Sequence, residues 1–361
     1  MIKFYDLKKQ DKVLEKQILS NILKIVKQKN FINGIEVEEF EKKFSYYTKA
    51  NYSVACSNGT DALTLALKSL NLKKNSEVII PAMTYVSTAY AVLNANLKPV
   101  LVDIDYNTGL MNLDILKKII SKQTKVIIPV HLYGNVINLV KLNKIKQKSL
   151  IVDDASQAHG AQYDNKKKVG TESLISCFSL YPGKNLGAYG DAGIITTHDY
   201  KIKKDIIKLG NLGADRIKKY DHISIGCNNR LDTIQAAILN IKLKNLDTNN
   251  KKRTRIAKFY KKNIKNKKVN LINYSKYAVY HQFIILVNNR KKFMDYMLSK
   301  KIQTAIHYPK SINQHPSIKK LFKNKKFPVA EKFAKECVSI PIDPYLNNNE
   351  IATIVKAIND Y

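Results

Sequence analysis

Apolar residues recur at helical spacing near the start of the chain: Leu14, Ile18, Ile22 and Ile25 form one stripe, and Val37, Phe40, Phe44 and Tyr47 form a second after Asn33-Gly34. That periodicity predicts two amphipathic helices separated by a turn. The pattern then changes. Short β-rich runs at 52–55, 78–80, 100–102, 126–130, 149–152, 174–179 and 193–197 alternate with helical stretches such as 61–70 and 113–120. Strands alternating with helices predict an α/β fold, a sheet sandwiched between helices. Ligands of such sheets bind beyond the carboxyl ends of the strands, which directs attention to the residues just after each run.

A further helical stretch occupies 231–246, followed by a Lys- and Asn-rich segment at 245–252 that reads as a domain boundary. The expected division is a large domain over 1–245 and a smaller C-terminal α+β domain over 246–361, with a strand at 283–287 and a helix at 291–300. Asn347-Asn348-Asn349 reads as a polar turn before a last helix, and no internal repeat is visible.

Composition narrows the class. Of the 361 residues 45% are apolar, enough to bury a large core, which excludes a small disulfide scaffold, a collagen-like fibre and a wholly disordered chain. Apolar runs fall far short of the ~20 residues that span a bilayer, and residues 1–30 carry scattered charges without a signal-peptide core. A soluble, cytoplasmic protein with no membrane partner is expected. Cys56, Cys177, Cys227 and Cys337 lie far apart with no Cys-x-x-Cys pair, so reduced thiols and no metal site are expected.

The 62 Lys+Arg against 29 Asp+Glu give a formal net charge of +33. Such a charge suits a nucleic-acid or anionic-membrane binder. Only five of these residues are arginines (Arg216, Arg230, Arg253, Arg255 and Arg290), whereas arginine is expected wherever phosphate or guanine is gripped bidentately. The lysines are spread among Asn and Ile, a mixture that an AT-rich coding genome produces without selection for binding. No nucleic-acid partner is expected, although Lys251-Lys252-Arg253 and 323–326 form local basic patches.

Three segments carry candidate chemistry. Glycine is scarce, 13 residues in all, yet Gly183, Gly187, Gly190 and Gly193 fall close together around Lys184, just after the run at 174–179. Glycines retained in so glycine-poor a chain mark tight turns or close approaches. A lysine framed in this way is either a surface-turn residue or, in a desolvated pocket, a Schiff-base nucleophile. The second segment is Asp153-Asp154-Ala155-Ser156-Gln157-Ala158-His159-Gly160 at the end of a buried run. A carboxylate there can keep a pyridinium nitrogen protonated, and it can equally ligate a metal or cap a helix. The third is Ser57-Asn58-Gly59-Thr60-Asp61, whose small residues open a helix and suit either a phosphate or an ordinary N-cap.

Together these segments resemble the DegT/DnrJ/EryC1/StrS family of sugar aminotransferases, pyridoxal phosphate enzymes with the aspartate aminotransferase type of fold. The likeness also takes in Gly34-Ile35-Glu36-Val37 with Phe40-Glu41, Ile80 to Val86, Pro129-Val130-His131-Leu132-Tyr133-Gly134, Asn228 to Ala237, and Ile340-Pro341. The resemblance implies fold type I: a large domain with a mixed, mostly parallel seven-stranded sheet between helices, plus a smaller α+β domain. It implies that Lys184 bonds to the cofactor and then shuttles the proton. By the same resemblance Asp154 pairs with the pyridinium nitrogen, Gln157 lies against the ring or its phenolic oxygen, and Tyr85 stacks on the ring. Gly59, Thr60 and Ser179 hold the phosphate, joined by Asn228 of the second subunit, which implies a homodimer with shared sites.

Lys184 speaks against the related branch in which histidine replaces it and sugars are dehydrated. The segment Asn229 to Ala237 looks like the subgroup that aminates 3-keto sugars. The implied reaction moves an amino group from L-glutamate to C3 of a nucleotide-linked 3-keto-6-deoxyhexose for surface glycan synthesis. A 4-keto or 3-keto-uronic nucleotide sugar is the alternative substrate, and a non-catalytic basic regulator or nucleic-acid binder is the alternative class. Tyr181, Arg230 and His307 are the expected substrate contacts, with Asp105 and Tyr106 as further candidates. Asn313 stands where a histidine is usual in the family.

Overall fold

The computed structural model describes residues 1–12, 14–214 and 220–361. Seven strands form the main sheet: β1 (Tyr52–Cys56), β2 (Glu77–Pro81), β3 (Lys98–Val102), β4 (Thr124–Ile127), β5 (Leu150–Asp154), β6 (Ile175–Ser179) and β7 (Gly193–Thr197), in the order β1-β7-β6-β5-β4-β2-β3. Neighbours from β6 to β3 run parallel, and β7 is antiparallel to both β1 and β6. The sheet is therefore mixed and mostly parallel, as expected. Its strands are buried almost throughout, which is why they read as continuous apolar runs. β4 stops short of Val130 because Pro129 follows and has no N–H to donate to the ladder.

The two opening stripes form the helices Glu15–Gln28 and Ile35–Thr48. Ile18 and Ile25 are buried on the first, Phe40 and Phe44 on the second. The helix Gly59–Ser69 is buried on nearly every face. Of the glycines around Lys184, two are required by close approach: a Cβ would come 2.5 Å from the Pro182 carbonyl oxygen at Gly187 and 2.4 Å from that of Asn58 at Gly193. Gly183 meets only ordinary contacts, so that glycine marks no constraint.

The Lys- and Asn-rich segment expected as a boundary is helical. It opens the helix Leu246–Asn263, whose buried stripe is Leu246, Asn250, Arg253, Ile256, Ala257 and Tyr260. Two polar residues in that stripe disguise it. Asn250 donates to the His159 carbonyl at 2.8 Å, and Arg253 donates to the Ile342 carbonyl at 2.5 Å. A second apolar cluster begins with Ile256 and gathers around an antiparallel sheet of β8 (Val269–Leu271), β9 (Phe283–Val287) and β10 (Cys337–Ile340), in the order β10-β9-β8. The helix Arg290–Ser299 follows β9 as the pattern predicts. Asn347 caps the last helix, Asn348–Asn359, in a reciprocal pair with Glu350, so only the first residue of the Asn run lies outside the helix.

All four cysteines are free; Cys56, Cys177 and Cys337 are buried and Cys227 is half-buried. Among the described residues no helix is long and apolar enough to cross a membrane.

Candidate active site

The carboxyl ends of β1, β2, β5 and β6 open onto one cavity of about 1040 Å³. Gly59, Thr60, Tyr85, Asp154, Gln157, Ser179, Tyr181, Lys184 and His307 all line it. Residues from five separate chain segments thus converge where the sheet topology places a ligand.

Lys184 sits in the turn after β6, closed by its own N–H to the Tyr181 carbonyl at 2.8 Å. The next residue pins that turn. Asn185 donates to Asn250 Oδ1 at 2.8 Å and to the Val279 carbonyl at 3.1 Å. The lysine is half-buried, and desolvation lowers its pKa to about 8, against the opposing attraction of Asp154. Burial next to that positive charge also brings His159 down to about 3 and His307 to about 4, and pushes His281 well below its ordinary value.

Asp153 and Asp154 face opposite sides of β5, as successive strand residues must. Asp154 lines the cavity, accepting from Thr88 Oγ1 at 2.8 Å on Oδ2 and from the Ser156 N–H at 3.2 Å on Oδ1. Asp153 is buried behind it, taking Tyr163 OH at 2.6 Å and Ser176 Oγ at 3.0 Å, with His131 Nε2 3.5 Å away. Burial opposes its ionisation, but His131 and the Tyr163 hydroxyl hold its pKa below the usual carboxylate value. Gln157 has both amide ends engaged: Oε1 accepts from the Tyr133 N–H at 2.6 Å and Nε2 donates to Tyr308 OH at 3.1 Å. Its planar face is thereby fixed at the cavity wall.

The helix Gly59–Ser69 also begins at the cavity wall. Asn58 is its cap, accepting from the Asp61 N–H at 2.9 Å, so Gly59 and Thr60 are not spent on capping. Thr60 Oγ1 donates to Ser87 Oγ at 2.8 Å. A Cβ on Gly59 would lie 2.6 Å from Ser179 Cβ, so glycine is what lets the end of β6 and the helix start share one concave wall. Tyr85 stands on the rim with its ring 5.4 Å from that of Tyr308.

Asn228 and Arg230 do not line the cavity of their own chain. Arg230 instead donates to Asn211 Oδ1 at 3.3 Å. Asp105 and Tyr106 do not line it either: Asp105 accepts from the Asn107 N–H at 2.7 Å within a turn, and Tyr106 donates to Glu336. Asn313 donates to Glu331 at 2.9 Å and lies outside the cavity wall. Wall residues that the sequence did not single out include Ser87, Thr88, His281, Gln282, Tyr308 and the segment from Lys3 to Lys8. Thr88 had a faint signal, one helical turn after Thr84, and Tyr308 adjoins the singled-out His307.

A lysine of lowered pKa, a held carboxylate and a glycine-opened helix start on the wall of one cavity define a pyridoxal phosphate aminotransferase of fold type I. The chain belongs to the DegT/DnrJ/EryC1/StrS aminotransferase family, whose model matches residues 12–359. It is 39% identical over 367 residues to the dTDP-3-amino-3,6-dideoxy-alpha-D-galactopyranose transaminase of Aneurinibacillus thermoaerophilus, covering 100% of this chain and 99% of the relative. It is 35% identical to the UDP-2-acetamido-2-deoxy-3-oxo-D-glucuronate aminotransferase of Pseudomonas aeruginosa, covering 100% of each. In three dimensions it is similar to S. venezuelae DesV in complex with a ketimine intermediate, with a TM-score of 0.95, 31% identity, and 99% and 98% of the two chains covered.

The protein is an aminotransferase, and its cofactor is pyridoxal phosphate. The wall fits that group on its own evidence: a desolvated amine, a carboxylate with both oxygens already oriented, and a small-residue cradle at a helix N-terminus.

Proposed function

We propose that this enzyme moves an amino group from L-glutamate to C3 of a nucleotide-linked 3-keto-6-deoxyhexose. In this reading it is a cytoplasmic homodimer that supplies an amino-sugar nucleotide for a surface glycan such as lipopolysaccharide. The observation that carries the reading is Lys184 beside Asp154 in a cavity of nucleotide-sugar size, in a chain similar along its whole length to a 3-amino-sugar transaminase.

When bound, pyridoxal phosphate supplies a carbonyl carbon for amines and an electron-withdrawing ring. The chain does the rest. Asp154, fixed by Thr88 and Ser156, would hold the proton on the ring nitrogen. The N–H groups at Gly59 and Thr60, with Ser179 Oγ, would hold the phosphate at the positive end of a helix. Gln157 and Tyr85 confine the ring. Lys184 Nζ takes the proton from the donor's α-carbon and returns one to the acceptor's amine-bearing carbon, a task suited to a group titrating near neutrality. His159, His281 and His307 are neutral at pH 7, so they add no charge that would repel a protonated amine. Both half reactions use one site, which gives ping-pong kinetics.

Asn228 and Arg230 reach the cavity of a second copy, Asn228 at the phosphate and Arg230 at the acceptor. Support comes from their position outside their own cavity and from an exposed apolar surface beside them. Ile225 is 92% exposed, with Leu212 and Ile223 also exposed, a patch of the kind that subunit interfaces cover. The net charge of +33 steers the anionic diphosphate towards the site, a rate effect that added salt weakens.

The deciding experiment is spectroscopic. Glutamate bleaches the visible band of the loaded protein, and a panel of keto-sugar nucleotides is then tested for restoring it. Restoration by a dTDP-linked 3-keto-6-deoxyhexose supports this reading. Restoration only by a UDP-linked 3-keto-uronate transfers the assignment to the chemistry named for the Pseudomonas relative. A band indifferent to glutamate overturns the donor.

A further inference from the structure

The wall of the cavity includes a segment that none of the motifs explains. Residues Lys3 to Lys8 line it, although they precede the stretch matched by the family model, which begins at residue 12. The segment is tied to the small sheet. Ile2 bridges Ile302 in parallel, its N–H donating to the Lys301 carbonyl at 2.8 Å and its carbonyl accepting from the Gln303 N–H at 2.9 Å. The Phe4 N–H donates to Gln303 Oε1 at 3.2 Å, and Lys9 pairs with Glu350 at 2.8 Å. Two residues after Gln303, Ala305 exchanges both backbone hydrogen bonds with Ser339 of β10.

This construction meets His307. Ser339 Oγ lies 2.8 Å from His307 Nδ1, and the Phe4 ring stacks on the imidazole with centroids 5.7 Å apart and planes 27° from parallel. One ring nitrogen and one ring face of His307 are therefore taken by protein groups, which leaves Nε2 as its remaining polar atom. Phe4 itself is half-buried and lines the cavity.

We propose that the segment Lys3 to Lys8 forms part of the acceptor site and that Phe4 is a specificity-determining residue. It fixes the His307 ring and offers an apolar face to the C–H side of the hexose in a nucleotide-linked sugar. The inference rests on the sugar-nucleotide reading above. Pyranose rings carry such an apolar face, and an aromatic ring is the side chain that covers it with least loss of conformational freedom. The nucleotide and diphosphate are outside this contact.

The test uses the loaded protein with Phe4→Ala and Phe4→Leu. Titration calorimetry measures binding of dTDP-3-amino-3,6-dideoxy-α-D-galactose and of dTDP alone, and steady-state kinetics separates the two substrates. Circular dichroism and the visible cofactor band verify that each variant folds and loads. The expected result is amino-sugar nucleotide binding weakened about tenfold or more in Phe4→Ala, less in Phe4→Leu, with dTDP affinity kept. The acceptor KM should rise with little change in the glutamate KM. Equal affinities in wild type and both variants, or equal losses for sugar nucleotide and dTDP, overturn the role of Phe4. A wild-type protein that converts with glutamate but binds neither probe overturns the sugar-nucleotide reading and the inference with it.

Discussion

Thr88 Oγ1 donates a 2.8 Å hydrogen bond to Asp154 Oδ2, and both side chains are buried. Thr84 Oγ1 lies 3.2 Å from the same hydroxyl, so the carboxylate is backed by a short hydroxyl chain from the helix Ser87–Asn94 and the turn before it. A hydrogen bond to a charged group contributes about 2 kcal/mol, and it stabilises the ionised form that a pyridinium partner needs. Thr88→Val keeps the shape and removes the donor. We expect cofactor affinity, measured by absorbance titration, to fall about tenfold or more, and Thr88→Ser to restore most of it. Unchanged affinity in the valine variant refutes this role.

The pKa of Lys184, lowered to about 8, sets a second expectation. The neutral amine is the nucleophile, and its fraction rises with pH until the folded-state pKa is passed. The rate at which apoprotein takes up pyridoxal phosphate should therefore climb to about pH 8 and level off, rather than continue upward towards the 10.5 of an ordinary lysine. Stopped-flow absorbance across pH 6 to about 10.5 checks the profile. Lys184→Ala should fold normally and lose turnover altogether, and full activity in that variant would sink the mechanism.

If each cavity is completed by the second copy, two inactive variants should rescue one another. Lys184→Ala supplies an intact Asn228, and Asn228→Ala supplies an intact Lys184. Mixed dimers then hold one complete site each, so an equimolar refolded mixture should reach about one quarter of wild-type activity. Activity no greater than the sum of the two parents would place Asn228 in its own chain's site or in none.

Glu41 offers a test of stability rather than chemistry. Its carboxylate accepts from the Ala55 N–H at 2.8 Å, yet burial raises its pKa to about 7, outweighing that hydrogen bond and the attraction of Lys203. The folded state therefore holds a proton between the unfolded pKa of 4.5 and about 7, and stability is lost as pH rises through that window. Glu41→Gln keeps an acceptor and removes the charge. It should be more stable than wild type by about 1–3 kcal/mol at pH 8 and near parity at pH 4.5. Thermal melts at the two pH values give the answer, and a difference independent of pH contradicts the assignment.

Much of the fold was legible because the strands are buried on both faces. Val78-Ile79-Ile80 and Val126-Ile127 announce themselves without any knowledge of their neighbours. Lys184 was legible because glycines are rare here and crowd around it. The helix at 246–263 was not, since Asn250 and Arg253 occupy core positions where periodicity looks for apolar residues. Their partners, His159 and Ile342, lie 91 and 89 residues away in the chain. The same holds for Thr88, which meets Asp154 across 66 residues, and for Phe4, which meets His307 only because the small sheet carries both. Local pattern reveals which side chains turn inward. It does not reveal which distant side chain they will find.

The register of β6 against β7 has one last consequence. Ser179 pairs with Gly193, so the stretch bearing Lys184 leaves and re-enters the sheet at the same rung of one antiparallel ladder. Its ends are held one interstrand spacing apart, and among the described residues no strand lies between β6 and β7. The stretch is in effect a cassette, tethered beyond that rung by Asn185 to Asn250 and Val279 and by the Tyr189 N–H to Gln235. Grafting the corresponding stretch from a relative would exchange the reactive amine and its turn while leaving every other rung of the sheet as it was.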